Sequence, residues 1–90
     1  MVSLDLSKNN ITDAGAKALA GSINFGKLKK LNLNFNRIGD EGARAIAGSP
    51  NFINLESLKL GQNKIGTEGA QALNESKTLQ NLIHPIFGFY

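Results

Sequence analysis

The feature that most constrains this chain is a repeat of 27 residues. Leu4, Leu31 and Leu58 are separated by that step, and so are Leu6, Leu33 and Leu60, Asn9, Asn36 and Asn63, and Ile11, Ile38 and Ile65. Gly15, Gly42 and Gly69 keep the register, followed by Ala16, Ala43 and Ala70, and then by Leu19, Ile46 and Leu73. A unit this short cannot bury its own apolar face, so the units must stack and share one continuous core.

The two halves of a unit carry different periods. In Leu31-Asn32-Leu33 apolar and polar residues alternate, as in a half-buried strand. Further on, Ala43, Ile46 and Ala47 fall on one face at helical spacing. Polar residues precede each helix, and Asp13, Asp40 and Thr67 are its expected caps. Strand followed by helix, repeated, predicts parallel strands with all helices on one side. Leu31, Leu33, Ile38, Ile46 and their equivalents are the expected core, with Phe25 and Phe52 filling the return loops. Asn9, Asn36 and Asn63 sit where the chain leaves each strand, and they are read as a structural ladder of inward amides.

The run Leu28-x-x-Leu31-x-Leu33-x-x-Asn36-x-Ile38 resembles the leucine-rich-repeat family. The following Gly39-Asp40-Glu41-Gly42-Ala43-x-Ala45-Ile46 is similar to its ribonuclease-inhibitor-like subclass. The resemblance implies an α/β fold: a right-handed solenoid, here a short horseshoe segment with strands on the concave face and helices on the convex face. One domain over 1–90 is expected, in units of about 1–27, 28–54 and 55–78 with a partial unit 79–90. Unit three is short, and the last unit has His84 and Pro85 where the pattern wants Leu and its turn. Pro85 suits the end of an edge strand. The aromatic tail with Phe87, Phe89 and Tyr90 either caps the last unit or stays exposed for another chain, and capping is favoured because open terminal repeats are poorly soluble. The strand from Ser3 to Ser7 is an unprotected edge.

Composition excludes several functions. The chain has no Cys, which removes disulfides, thiolate nucleophiles and soft metal sites. Its net charge of +3 comes from dispersed lysines and arginines, without the dense basic stripe and stacking aromatics of a nucleic-acid binder. Gly21 to Lys27 fits the spacing of a phosphate-binding loop, but Leu28 replaces its Ser or Thr, and the segment joins a helix to a strand rather than the reverse. Asn10-Ile11-Thr12 and Asn74-Glu75-Ser76 match a glycosylation pattern without a secretory leader. The lone His84 has no nucleophile or second ligand near it in sequence.

These readings give no catalytic residue, no metal and no cofactor, and they predict a non-enzymatic protein-binding module, cytoplasmic, with no membrane or nucleic-acid partner. Its contacts are expected on the outward strand positions: Ser3, Asp5 and Ser7, then Lys30, Asn32 and Asn34, then Ser57, Lys59 and Gly61, flanked by Lys8, Phe35 and Gln62. Phe35 stands out as an aromatic anchor, with packing beneath the Asn36 turn as its alternative. A homo-oligomer formed through the Leu4 edge or the Phe87, Phe89 and Tyr90 tail is a further expectation. The alternatives are a small-GTPase regulator of the Ran GTPase-activating type, by analogy of fold alone, and a structural or recognition fragment of a longer receptor or effector.

Overall fold

Leu4, Leu31 and Leu58 stand side by side in a three-stranded parallel sheet. The computed structural model of the chain describes residues 2–22 and 26–87; Phe25, Phe89 and Tyr90, all named above, lie outside the described residues. The elements are β1 (Ser3–Asp5), α1 (Asp13–Ala20), β2 (Lys30–Asn32), α2 (Asp40–Ala47), a single 3-10 turn (Pro50–Phe52), β3 (Ser57–Lys59) and α3 (Thr67–Asn74). The strands lie in the order β1, β2, β3, and α1 packs on α2 as α2 packs on α3. This is an α/β repeat fold.

The register follows the repeat. Ser3 pairs with Lys30 and Lys30 with Ser57, and Asp5 pairs with Asn32 and Asn32 with Lys59, so equivalent residues form rows across the sheet. The row of leucines points inward, where Leu28, Leu31, Leu33, Ile38, Ile46, Phe52, Leu55, Leu58 and Leu60 are fully buried. Each such side chain contributes roughly 1.5–3 kcal/mol relative to exposure. β1 is shorter than the Ser3–Ser7 span the alternation suggests, although backbone pairing continues past it, with Leu6 N–H donating to Asn32 O and Lys8 N–H to Asn34 O.

The helix caps differ from the local reading. Thr12, Gly39 and Gly66 occupy the cap positions with extended backbone, and none of them caps through its side chain. Asp13, Asp40 and Thr67 are instead the first helical residues. The Asp13 Oδ1 accepts from the N–H groups of Gly39 at 2.7 Å and Gly42 at 2.9 Å, in the next unit. Asp40 does the same for Gly66 and Gly69 at 2.7 and 3.0 Å. The carboxylate turns sideways because the adjacent parallel helix starts at the same height and offers its unsatisfied first-turn donors. The opposite helix ends are tied in the other direction: Ser49 Oγ donates to Ala20 O, and Ser76 Oγ to Ala47 O.

This interlock needs close approach. A Cβ on Gly42 would lie 2.7 Å from both Asp13 Oδ1 and Ile38 Cγ2 and 3.0 Å from Ala16 Cβ, and Gly69 is equally confined by Asp40 and Ile65.

The last unit forms no strand among the described residues, which corrects the edge-strand reading of Pro85. Its chain runs along the outer side of β3, where Ile83 N–H donates to Glu56 O at 2.9 Å and Leu60 N–H to Ile86 O at 3.3 Å. Pro85 sits between them and has no N–H to extend a ladder. Leu79 and Ile86 join the core, while Phe87 is 44% exposed. No helix of the described residues is long and apolar enough to cross a membrane.

Candidate functional site

The polar rows of the sheet make a shallow, open depression of about 260 Å³, lined by Ser3, Leu4 and Asp5 of β1, Lys30, Leu31 and Asn32 of β2, Ser57 and Lys59 of β3, and His84. Sequence alternation placed the strand residues on this face because an inward leucine leaves its two neighbours outward. Ser57 is only 7% exposed, so it forms part of the floor. His84 stands where the pattern expects a leucine, and it lines the depression from the segment that runs beside β3. The missing Leu was its one signal in the sequence.

The remaining expected residues lie beyond the depression, at the C-terminal ends of the strands. Three consecutive turns there use the same backbone: Lys8, Phe35 and Gln62 all have positive φ, of 60°, 59° and 57°. The polar residues just before these turns are bonded internally. Asp5 Oδ1 accepts from Ser7 N–H at 2.9 Å and Ser7 Oγ–H at 2.7 Å. Asn32 Oδ1 accepts from Asn34 N–H within its own turn, and Asn34 Oδ1 accepts from Gly61 N–H at 2.7 Å, which ties this turn to the next unit. The bonds from Ser7 are the main reason the Asp5 carboxyl is held below its ordinary range, with Lys59 and Lys8 adding smaller attractions.

Beneath these turns run the asparagines. Asn36, 7% exposed, accepts at Oδ1 from Asn9 N–H and Ile11 N–H and donates through Nδ2 to Leu6 O and Leu33 O. Asn63 accepts from Ile38 N–H and donates to Leu33 O and Leu60 O. Asn9 donates to Leu6 O and Ser7 O. On the return-loop side, Asn54 donates to Gly26 O and Asn81 to Ile53 O, each at 2.7 Å.

Phe35 rises out of this scaffold. Its ring is 54% exposed and not packed beneath the Asn36 turn, with Lys8 Nζ 5.7 Å from the ring centroid. Among the described residues no three His, Cys, Asp or Glu side chains converge as a metal would require.

A sequence model of the family described as Leucine Rich repeat matches residues 1–20, 27–47 and 53–73. The chain belongs to the leucine-rich-repeat family. Leucine-rich repeats are generally protein-interaction modules, and the family is typically non-enzymatic. A comparison with curated proteins returned no match. In this leucine-rich-repeat chain the three matched segments correspond to the three strand–helix pairs, and the tail from Leu79 lies beyond them.

Proposed function

We propose that this chain recognises a protein partner through its strand face, using Asp5, Ser7, Lys30, Asn32, Asn34, Ser57 and Lys59 as the contact field, with Phe35 and Gln62 on its rim. The observation that carries the reading is Phe35. An aromatic side chain is more than half exposed, at a left-handed backbone position that is unfavourable for a bulky residue. Packing gives no reason for it, and partner burial does, since aromatic anchors dominate interface energetics.

The reading extends to architecture. The 27-residue step and the Gly-Ala helix start support a short right-handed solenoid segment of the ribonuclease-inhibitor-like kind, with units of about 1–27, 28–54 and 55–78 and the strands on its concave side. Three strands about 4.8 Å apart offer a narrow platform, smaller than a standard interface. Rim residues such as Phe35 therefore carry a large share of the contact.

The test is quantitative capture from cell extract by immobilised wild type, Phe35→Asn, Lys30→Glu/Lys59→Glu and a control away from the strand depression, Lys77→Glu in the exposed turn after α3. Saturable retention of a protein by wild type and the control, lost in the Phe35 variant, supports the strand face. Equal retention by all four overturns it.

A further inference from the structure

We infer that the N-terminal end of the stack is a docking surface for one further leucine-rich-repeat unit, of the kind whose helix opens on Asp. This end is distinct from the strand face, so its occupant is independent of the reading above. Equivalent residues differ in burial here. Leu31, Leu33, Ile38 and Ile46 of unit two are fully buried, whereas Leu4, Leu6, Ile11 and Leu19 of unit one are only partly buried. β1 is also an edge of the sheet, paired with β2 alone. At the other end Leu58 and Leu60 stay buried, and Leu79 and Ile86 join the core there.

The polar groups of unit one match its apolar ones. Both interfaces between units use the same two devices. The Asp that opens one helix accepts from the start of the next, Asp13 from Gly39 and Gly42 N–H and Asp40 from Gly66 and Gly69 N–H. The Asn of the later unit accepts from the backbone of the earlier one, Asn36 from Asn9 and Ile11 N–H and Asn63 from Ile38 N–H. Unit one carries the receiving half of each. Thr12 and Gly15 stand where Gly39 and Gly42 do, Thr12 caps with no side-chain bond, and among the described residues no acceptor meets either N–H. Asn9 donates to Leu6 O and Ser7 O, and among the described residues its Oδ1 accepts from nothing. A Cβ on Gly15 would meet Ile11 alone, so the place that the Asp13 carboxylate takes beside Gly42 is open beside Gly15.

A unit stacked in the same parallel register would pair its strand with β1, cover Leu4 and Leu6, and bring its carboxylate to Thr12 and Gly15. The surface thus continues the interfaces already present between units one, two and three. A second copy of this chain supplies no such unit. Its far end has Thr67 at the Asp position and carries the segment from Leu79 to Ile86. Two N-terminal ends related by a two-fold axis would set their helices antiparallel, with the helix starts at opposite heights.

The experiment appends a copy of residues 28–54 ahead of the full chain, in the register of the repeat, and follows urea unfolding and amide hydrogen exchange. The appended unit is expected to raise the unfolding midpoint and to slow exchange at Thr12 and Gly15 by about tenfold or more, as newly bonded amides require. Asp40→Ala in the appended copy alone should return those two amides to their original rates. Ala14 stands at the place of Glu41, which reaches back to Lys17 of the preceding unit, and Ala18 lies one turn further; both are exposed. Ala14→Arg/Ala18→Arg should leave the midpoint of the unextended chain unchanged, since Arg is a good helix former, and should abolish the gain from the appended unit.

An appended unit that changes neither the midpoint nor the two amides would overturn the proposal. So would a gain that survives Ala14→Arg/Ala18→Arg, because the added unit would then sit elsewhere. Light scattering on the unextended chain tests the choice of occupant: a monomer is expected, and a dimer that Ala14→Arg/Ala18→Arg dissociates would assign the surface to a second copy instead.

Discussion

The Asp13 carboxylate and the Gly42 amide meet at 2.9 Å, across 29 residues of sequence, at a point where a Cβ on Gly42 would overlap the same oxygen. One unit thus closes the helix start of the next, and glycine is the residue that lets it approach. Gly→Ala inside a helix ordinarily gains about 1 kcal/mol. At Gly42 the overlap with Asp13 Oδ1, Ile38 Cγ2 and Ala16 Cβ reverses the sign, and Gly42→Ala should destabilise by about 1–3 kcal/mol in urea unfolding. Asp13→Ala should cost about 1–2 kcal/mol by leaving two first-turn donors without an acceptor. Gly48→Ala is the control: its Cβ would meet only Arg44 O at an ordinary 3.5 Å, so it should be neutral or stabilising by up to about 1 kcal/mol.

Asn36 and Asn9 occupy equivalent places with unequal duties. Asn36→Ala strands the N–H groups of Asn9 and Ile11 and removes donors from Leu6 O and Leu33 O. Its expected cost is about 2–4 kcal/mol. Asn9 is exposed, and its amide only donates, to Leu6 O and Ser7 O. Asn9→Ala should cost about 1 kcal/mol or less, because water replaces it. Chemical denaturation of the two variants side by side checks the ratio.

Asp5 titrates below its ordinary range, first because of the Ser7 backbone bond, then because of the Ser7 hydroxyl. A carboxyl lowered by folding adds stability above its unfolded pKa and loses that contribution as pH falls through the folded pKa. Because Asp5 is exposed, the effect belongs to the acid limb alone and is screened by salt. Ser7→Ala removes the hydroxyl but keeps the backbone bond, so the Asp5 midpoint should rise only part of the way back. Carboxyl carbon chemical shifts followed through an acid titration read this directly; a full return to the ordinary range would contradict the assigned order of causes.

What was legible in the sequence was whatever every unit repeats. Leu4, Leu31 and Leu58 could be placed in one row because equivalent residues in a stack meet equivalent surroundings, and the parallel sheet follows from strand–helix alternation. Contacts between units were harder to see. Asp13 and Asp40 read locally as caps of their own helices, since a bond 26 residues away leaves no local trace. The absence of Asp at Thr67, in the last helix, was the available clue. The last unit was the least legible: Leu79-x-x-Leu82 promises another strand, but Pro85 and the shortened return loop send Ile86 into the core instead. His84 lines the candidate site from that same segment. The outward strand residues were readable as a face, whereas the internal bonds of Asn32 and Asn34 depend on turn geometry that alternation does not encode.

Phe35 offers a test of residue choice against stability. Its backbone is left-handed, and its contact with Lys8 is solvent-exposed and worth about 0.5–1 kcal/mol. Asn tolerates that backbone without the penalty of a bulky side chain, about 1–2 kcal/mol. Phe35→Asn should therefore be neutral or up to about 1 kcal/mol more stable by thermal unfolding. A loss of more than about 2 kcal/mol would mean that the ring supports the fold rather than a partner.

Amide hydrogen exchange on the chain with and without its captured protein tests the central claim most directly. Recognition through the strand face predicts added protection at β1, β2 and β3 and at the turns of Lys8, Phe35 and Gln62, with α1, α2 and α3 unchanged. Protection confined to the helices, with the strands and Phe35 exchanging as in the free chain, would contradict it.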